Sequence, residues 1–565
     1  MSEQRLMRST SVMAAGTLAS RVLGFVRASL LAGLLGVSGA VAADTFITAN
    51  TVPNQIYNLI ASGLLNAVLV PQIVRAAKHD DGGAAFLDRL LTLCLVGLAV
   101  VTAVATLLAP LVPVVLAPIG PGWDADERAL CVAFAYWCVP QIFFYGLYTV
   151  LGQVLNARGH FGAYMWAPVV NNVVAIVGLV VMYAWIGGFD DPGNVHPPSE
   201  WTGAQVAGLA GTATLGVVLQ GLCLLIPLRR IGFRYRPRLG LRGSGLGGVG
   251  QVMSWTFAAA LVGQLGFLVT TKVVNGAGLA GGPGQNSYAN AFLLFMLPHS
   301  LVTVSLVTAL FTRMSQAAQD GDLPRVRRDL SVGLRLTGVA TVLALAGMLA
   351  VGPSLTATLF AGNDPSETRA IAYATTAMML GLVAFSAQYL FQRAFYALSD
   401  ARTPFLVQLP VVATIAATSY LSGVLLDADV VVIGIGLGMA LGYVVGASLS
   451  ALTLRRRLGG LDGGRVTSTY LRLFAAAVPA VLAGRGVGWL LHTVVGTTKP
   501  VEALVLVLGG CTVLVVYLVG CRLLGVSELT ELAQPVLGRL PAGLTRRLTP
   551  RPTGRRGRRR GSHRG

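Results

Sequence analysis

Three basic side chains stand in the middle of long apolar segments of this 565-residue sequence. Arg21 and Arg27 belong to the segment 11–36, and Lys272 belongs to the segment 246–279. A charged side chain at bilayer depth costs at least about 2.5–3.5 kcal/mol, so it persists mainly where it faces a polar cavity. Cations around one cavity can hold a phosphate or pyrophosphate through charge and hydrogen bonds. We therefore predict that these three residues bind an anionic substrate.

The alternative is that these cations reach the membrane surface along their flexible stems. At a rise of about 1.5 Å per residue, Arg21 lies about 15 Å into its helix, and Arg27 lies about 9 Å further along. Six residues at about 100° each turn the two side chains about 120° apart, so only a wide cavity can take both. Arg21 is too central to reach the surface easily, whereas the sequence NGAGLAGGPG soon ends the span of Lys272.

The next apolar segment, 41–75, contains an acid and a proline. Asp44 stands just inside the outer end of this segment. It can act as a counter-ion to Arg27, as a gate residue, or as a carboxylate that favours a helix start. Pro53 can break the helix. We assign Asp44 and Pro53 to a gate or counter-ion role.

Amide side chains follow along the same segment. Asn50 and Asn54 can line a water-filled path, or they can simply form hydrogen bonds between helices. We include both in the predicted substrate-binding set with the three cations, and the interhelical alternative stays open.

No motif in the sequence indicates an enzyme. The Asp-x-Asp pairs at 124/126 and 427/429 lie in short outer loops, with no folded outer domain to complete a metal site. A phosphate-binding glycine loop, a nucleophile elbow and zinc-ligand spacing are all missing, so we predict no catalytic residue, cofactor or metal. The six cysteines lie in apolar runs and are expected to be small core residues.

Composition places the chain among integral membrane proteins. Hydrophobic residues make up 54% of it and charged residues 12%, with a mean hydropathy of +0.69, whereas a soluble domain carries about a quarter charged residues. No cleavable signal peptide is apparent. The apolar segments are long enough to cross a bilayer and predict an all-α polytopic membrane protein with 14 transmembrane helices. These segments are 11–36, 41–75, 87–118, 129–157, 160–187, 203–228, 246–279, 287–312, 331–361, 368–398, 403–426, 430–454, 466–495 and 499–524.

The positions of basic residues predict the orientation of these helices. With the N-terminus inside, inner segments hold 35 of the 42 lysines and arginines, outer segments hold four, and three lie within spans. We therefore predict that both termini are cytoplasmic. The Arg-rich tail 526–565 is predicted to be disordered and to bind anionic membrane lipids; a nucleic-acid or protein partner is the alternative.

An internal repeat divides the chain. The passage that starts at Asn156 resembles the passage that starts at Ala397, and Pro53 has a counterpart in Pro298, an offset of about 240 residues or six spans. Because six is even, the halves share one orientation and are related by an axis along the membrane normal. We predict two six-helix lobes around a central cavity. The units are an N-terminal lobe (1–230), a basic cytoplasmic linker (231–245), a C-terminal lobe (246–458), helices 13 and 14 (459–525) and the tail (526–565).

Four stretches of the sequence resemble the MurJ/MviN family of lipid II flippases, within the multidrug/oligosaccharidyl-lipid/polysaccharide exporter superfamily. They are SRVLGFVR in the first span, AADTFITANTVPN at the start of the second, SGLLNAVLVP at its end, and FYALSDARTP later. The resemblance covers essentially the whole chain. Within the family, the sequence resembles actinobacterial members. It implies a central cationic cavity, with spans 13 and 14 forming a groove for an undecaprenyl tail.

The resemblance also implies a function and a location. The expected activity is the movement of undecaprenyl-pyrophosphate-linked peptidoglycan precursor from the inner to the outer leaflet of the bacterial cytoplasmic membrane, by alternating access. This activity serves cell-wall synthesis and cell shape, and it makes cell-wall synthesis proteins natural partners. Arg21 and Arg27 match functional arginines of the family, and Asp44 matches its acid in span two.

The chain departs from the pattern of many relatives. Tyr57 and Asn58 stand where those relatives carry an Arg-Arg pair, and AFLLFMLP in span eight lacks their arginine. The predicted cavity is therefore less cationic, and we hypothesise that Lys272 partly compensates. The alternatives are a flippase for another polyprenyl-linked glycan, a drug or cation antiporter, which would favour an acidic cavity, and a non-transporting scaffold for cell-wall assembly.

Overall fold

The computed structural model of this chain describes residues 3–60, 84–118, 122–157, 160–188, 197–233, 235–238 and 250–529. Throughout those ranges the regular structure is helical, and the one exception is an isolated β-bridge between Ser38 and Pro283. The prediction of an all-α membrane fold is therefore confirmed.

Helices dominate because a bilayer leaves backbone polar groups no partner outside their own segment. In the N-terminal half they are α1 (Glu3–Leu35), α2 (Val41–Ile60), α3 (Ala84–Leu107), α4 (Val112–Val115), α5 (Ala125–Cys138), α6 (Gln141–Ala157), α7 (Phe161–Ile186), α8 (Gly203–Val206), α9 (Thr212–Leu222) and α10 (Leu225–Arg230). A π turn at Ala207–Gly211 joins α8 to α9, so these short helices form part of one span.

The C-terminal half continues in the same way. Its helices are α11 (Gly250–Leu279), α12 (Gln285–Pro298), α13 (Val304–Gln319), α14 (Leu323–Leu359), α15 (Pro365–Met379), α16 (Leu382–Ala397), α17 (Arg402–Leu425), α18 (Ala428–Arg457), α19 (Gly463–Val495) and α20 (Lys499–Leu523). Pro298 ends α12, and a π turn at His299–Thr303 carries the chain into α13. A proline disturbs the helical hydrogen-bond ladder, which explains the irregular turn at this point.

Twelve helical runs of the described residues are long and apolar enough to cross a membrane. The count becomes 13 if α15 and α16, which meet at a bend of 46°, form one broken span. The segment predicted at 41–75 is described only as far as residue 60, and α2 is too polar to meet the same hydropathy test. A multi-pass membrane protein is thus supported, while the count of 14 stays a prediction.

Corresponding spans pack together in both halves. In the N-terminal half α1 packs on α7, and α7 on α9; in the C-terminal half α11 packs on α17, and α17 on α18. Two copies of one arrangement are what the internal repeat predicts. The last two helices, α19 and α20, pack on each other and on α14, outside this repeated pattern.

The cores of the two halves interlock at the end of α1. Leu34 and Leu35 belong to a buried cluster formed mainly by the N-terminal half, whereas Ala32 and Val37 belong to a cluster formed mainly by the C-terminal half. The turn after α1 therefore lies where the halves meet.

A buried ion pair connects the end of α20 to α14. Arg335 is 9% exposed and Glu528 is 3% exposed, and their side chains are paired. Tyr517 on α20 strengthens the same contact, because its hydroxyl donates a hydrogen bond of 3.0 Å to the Val339 carbonyl oxygen of α14. The segment that follows the last span is thus held against the C-terminal half.

We expect Arg335→Met to lower the unfolding temperature of the purified protein strongly. Removing one partner of a buried pair leaves the other charge uncompensated, which costs about 3–5 kcal/mol. The double variant Arg335→Met/Glu528→Leu leaves no buried charge at this site and should recover most of the loss. Thermal unfolding in detergent measures both; a double variant as unstable as the single one would contradict the argument.

Candidate functional site

A cavity of about 350 Å³ lies between the two halves of the molecule. Arg21 of α1 lines it together with Tyr148 of α6 and Pro168 of α7, and Leu293 and Leu297 of α12 close the opposite side. Arg21 is half-buried. The predicted mid-membrane cation therefore faces a space that both halves enclose, and such a space can receive an anionic group.

Close packing between α1 and α7 fixes the position of Arg21. The Asn172 side-chain amide of α7 donates a hydrogen bond of 2.9 Å to the carbonyl oxygen of Ser20, the residue before Arg21. A Cβ built on Gly16 would lie 2.9 Å from the indole of Trp166, so a larger residue there would require this ring to shift. Both contacts hold the face of α1 that carries the guanidinium.

Arg27 lies beside a group of tyrosines. It is half-buried and interacts electrostatically with Tyr145. The Tyr145 ring lies 5.7 Å from that of Tyr57, whose hydroxyl is hydrogen-bonded to Thr149. Aromatic rings and hydroxyl groups of α2 and α6 therefore lie beside Arg27.

Lys272 belongs to α11, a helix that packs on α2. Between these two helices, the Gln264 amide donates to the Gln55 side-chain oxygen at 3.2 Å, and Thr48 donates to the Asn275 side-chain oxygen at 3.2 Å. Lys272 is half-buried, and within the described ranges no carboxylate oxygen lies within 4 Å of its amine. Each half thus carries a half-buried cation, but Arg21 lines the cavity between the halves whereas Arg27 and Lys272 do not.

The two predicted amides differ in their surroundings. Asn50 accepts a hydrogen bond of 3.1 Å from the Gln141 side chain, which also donates to the Thr214 hydroxyl at 2.9 Å. Asn50 therefore takes part in interhelical bonding, the alternative that the sequence left open. Asn54 is exposed, one residue after the buried Pro53. The helix α2 continues through Pro53, so the proline does not break it.

Asp44 contacts the opposite half of the molecule. Its Oδ1 accepts a hydrogen bond of 3.2 Å from the backbone N–H of Asn286, at the start of α12. Its Oδ2 is buried without a hydrogen-bond partner, and no arginine or lysine of the described residues is paired with it. This geometry does not support a counter-ion to Arg27; it fits a carboxylate at helix starts, and the gate role stays a prediction.

The turns after α1 and α11 pair with each other. The Gly39 N–H donates to the Gly282 carbonyl oxygen at 2.9 Å, and the Gly284 N–H donates to the Val37 carbonyl oxygen at 3.2 Å. We call this paired segment, residues 37–39 with residues 282–284, the outer latch, because the orientation predicted from the sequence places it on the outer side. Gly39 has a φ of +64° and could not carry a side chain without strain.

The outer latch pairs equivalent residues of the internal repeat. Ser38 and Pro283, which face each other in the bridge, are separated by 245 residues, and so are Arg27 and Lys272. The same offset separates Pro53 from Pro298 and refines the value of about 240 taken from the sequence. Pairing of equivalent residues places the symmetry axis of the two halves at the outer latch.

Glu367 and Asn363 hold the outer latch from the side. The N–H groups of Val37 and Ser38 donate to Glu367 Oε1 at 2.9 and 3.1 Å, and the Asn363 amide donates to the Ala32 carbonyl oxygen at 2.9 Å. The sequence analysis did not identify these two residues. The sequence offered one signal for Glu367, an acid two residues after the proline that starts α15. In the structure Glu367 is only 6% exposed.

We expect Gly284→Ala to destabilise the closed outer latch. A Cβ there would lie 1.9 Å from Asp44 Oδ2 and 2.5 Å from its Cγ, and the buried carboxylate has little room to move. Such overpacking costs about 1–3 kcal/mol, which thermal unfolding should record as a lower transition temperature. Gly263→Ala is the control, since a Cβ there meets no atom within 4 Å; equal effects would contradict the proposed clash.

Several predictions concern residues outside those described. These are the end of the second span, most of the basic linker and the tail from residue 530 onwards. Among the described residues, no group of three or more His, Cys, Asp or Glu side chains could hold a metal ion. All six cysteines are unpaired. Cys511 is exposed and Cys223 half-buried, so the expectation of core cysteines is wrong for Cys511.

The sequence matches the model of a known family, lipid II flippase MurJ, over residues 31–509. A probable lipid II flippase MurJ of Rhizobium meliloti is 27% identical over 502 residues, which cover 86% of this chain and 87% of the relative. A lipid II flippase MurJ of Burkholderia cenocepacia is 28% identical over 486 residues, which cover 84% of this chain and 88% of the relative.

Solved structures share the fold. A lipid II flippase MurJ in an inward closed conformation matches 90% of this chain and 98% of its own with a TM-score of 0.68 and 17% identity. An inward-facing multidrug resistance MATE family transporter matches 79% of this chain and 96% of its own with a TM-score of 0.62 and 15% identity. At these identities the likeness establishes the fold alone.

Proposed function

This chain belongs to the lipid II flippase MurJ family, and on that premise we propose that it moves lipid II from the inner to the outer leaflet of the bacterial cytoplasmic membrane. The observation that carries the proposal is the half-buried Arg21 in the cavity between the two halves. A cation at that depth is costly unless an anionic group uses it. The pyrophosphate of a polyprenyl-linked precursor is such a group.

The substrate headgroup binds between the two lobes. Arg21, Arg27 and Lys272 provide positive charge for the pyrophosphate, and Asn50 and Asn54 provide hydrogen bonds on α2. The polyprenyl tail stays in lipid along α19 and α20, which lie outside the repeated lobes. Recognition of this kind involves charge and hydrogen bonding without any covalent step, so the protein is a transporter and not an enzyme.

Transport proceeds by alternating access of the central cavity. The outer latch and Asp44 close the cavity towards the outside when residues 37–39 are paired with residues 282–284. Outward opening separates residues 37–39 from residues 282–284 and releases the Asp44 contact with Asn286. The headgroup then leaves to the outer leaflet, where cell-wall synthesis proteins use it. Both termini lie in the cytoplasm, and the basic tail binds anionic lipids of the inner leaflet.

Replacement of an endogenous lipid II flippase tests this function. The full chain is expressed in a depletion strain, and growth is scored together with the amount of lipid II that becomes accessible at the outer leaflet. Rescue with restored lipid II exposure is the expected result. If the chain is inserted at normal levels and lipid II stays inside, the function is wrong, and a different polyprenyl-linked glycan becomes the leading substrate. Rescue without lipid II exposure would indicate a scaffold.

A further inference from the structure

A second cavity, of about 680 Å³, lies at the opposite end of α14 from the outer latch. Its lining includes Arg327 in the first turns of α14, Arg455 in the last turn of α18, and Arg465 in the first turn of α19. Three helices thus bring one arginine each to the same space. The distribution of basic residues assigns this end of the helices to the cytoplasmic side.

None of these three arginines has an acidic partner among the described residues. Arg313, Arg335 and Arg457, on the same side of the molecule, are paired with Asp329, Glu528 and Asp400, respectively. For the arginines of the cavity, no carboxylate oxygen of the described residues lies within 4 Å. Like charges that converge without a counter-ion repel one another, and a bound anion removes that repulsion.

The one acid in the lining is already engaged. Asp462 accepts a hydrogen bond of 2.9 Å from the Ser331 hydroxyl and does not cap the helix α19 that follows it. The N–H groups of Gly463 and Gly464, in the first turn of this 33-residue helix, therefore lack a capping side chain. Uncapped N–H groups at a helix start favour phosphate and other anions, and here they lie beside three arginines.

The cavity also has an apolar side that faces the membrane. Leu452 of α18 contributes to the lining, and 55% of its surface is exposed. An amphiphile with a phosphate group can place that group among the arginines while its acyl chains lie along the apolar surface of α18. The inner leaflet supplies such molecules, and its negative lipids attract basic residues near the surface.

We propose that this cavity, between the inner ends of α14, α18 and α19, is a binding site for the phosphate headgroup of an anionic phospholipid. The site is separate from the Arg21 cavity between the lobes. Its lining is part of the folded domain, so it does not depend on the basic tail. The volume of about 680 Å³ falls within the range of small-molecule sites, about 300–1,000 Å³.

The test uses a charge placed in the cavity without loss of any contact. At Gly464 an added Cβ meets no atom within 4 Å, so Gly464→Glu and its neutral isostere Gly464→Gln are both accommodated. The purified full chain in a neutral detergent is titrated with dioctanoyl phosphatidylglycerol, with dioctanoyl phosphatidylcholine and with inorganic phosphate, and the shift of the unfolding temperature reports binding. We expect saturable binding of phosphatidylglycerol to wild type that is at least tenfold weaker in Gly464→Glu than in Gly464→Gln.

Three results would overturn the proposal. Equal affinity of the Glu and Gln variants for phosphatidylglycerol would place the bound lipid elsewhere. Equal binding of phosphatidylcholine would remove the role of headgroup charge. Inorganic phosphate that binds as tightly as phosphatidylglycerol would identify a soluble phosphate compound as the ligand instead of a lipid.

A second pair of variants tests the arginines themselves. Arg327→Gln/Arg455→Gln removes one half-buried and one exposed charge from the lining of the cavity, and Arg328→Gln/Arg456→Gln removes two exposed charges one residue away on the same helices, outside that lining. We expect a loss of phosphatidylglycerol affinity of tenfold or more in the first pair and less than threefold in the second. The same loss in both pairs would mean that lipid follows overall surface charge and not this cavity.

Discussion

Replacement of Arg21 by alanine is expected to abolish rescue of a strain depleted of its lipid II flippase and to reduce lipid II at the outer leaflet at least tenfold. The guanidinium lines the cavity enclosed by both halves, and it is the cation that the structure places most directly in the proposed substrate path. A charge-assisted hydrogen bond contributes about 1.5–3 kcal/mol, which corresponds to a factor of about 10 to 150. Because the side chain is half-buried, water replaces it poorly.

The conservative variant separates charge from geometry. Arg21→Lys keeps the positive charge and loses the planar guanidinium, so we expect partial rescue. Arg27→Ala and Lys272→Ala are measured beside it, and Arg369→Ala is the control, since Arg369 is exposed at the start of α15, near the outer latch. Full rescue by the Arg21→Ala, Arg27→Ala and Lys272→Ala variants at matched expression would rule out electrostatic capture of the substrate.

A disulfide across the outer latch is expected to stop transport completely and reversibly. Ser38 and Pro283 form the bridge, and the flanking hydrogen bonds come from Gly39 and Gly284. This pattern makes them a non-hydrogen-bonded antiparallel pair, with Cα atoms about 4.5 Å apart, within the range of about 4.4–6.8 Å that disulfides accept. Ser38→Cys/Pro283→Cys should therefore cross-link in the closed state and prevent outward opening.

Reduction provides the matched comparison for the cross-linked protein. The double-cysteine variant is reconstituted in vesicles with lipid II, and translocation is followed before and after addition of a reductant. We expect no translocation when oxidised, recovery on reduction, and normal activity of each single-cysteine variant in both conditions. Transport by the fully oxidised protein would mean that the outer latch does not open during the cycle, and alternating access through it would be wrong.

Hydropathy predicted most of the helices because a bilayer imposes both their length and their apolar character. Hydropathy is least informative at α2, where Asp44, the asparagines and Pro53 lower the mean hydropathy of a helix that lies between the two halves. A polar helix in such a place is a property of a site and not of a lipid-facing span. The predicted start of this segment, residue 41, agrees with the first residue of α2, and its predicted end lies outside the described residues.

The sequence predicted which kinds of residue serve the site, but not which residues contact one another. A half-buried arginine such as Arg21 is conspicuous in an apolar segment, because the free-energy cost of its charge can be recognised from the neighbouring residues alone. The contacts of Asp44 with Asn286 and of Glu367 with the turn after α1 join residues that are 242 and about 330 positions apart. No periodicity or spacing rule connects such positions. The uncapped start of α19 and the three unpaired arginines near it likewise required the fold.

The outer latch has the form of an isologous interface, the kind that a two-fold symmetric dimer makes with itself. In a dimer of a single repeat, one substitution would change both sides of such a contact at once. Here the two copies lie in one chain, so the sides are free to differ: serine occupies one and proline the other. Glu367 can then support one strand of the pair without an equivalent on the other. Covalent fusion of the repeats thus allows the two sides of a symmetric contact to become different.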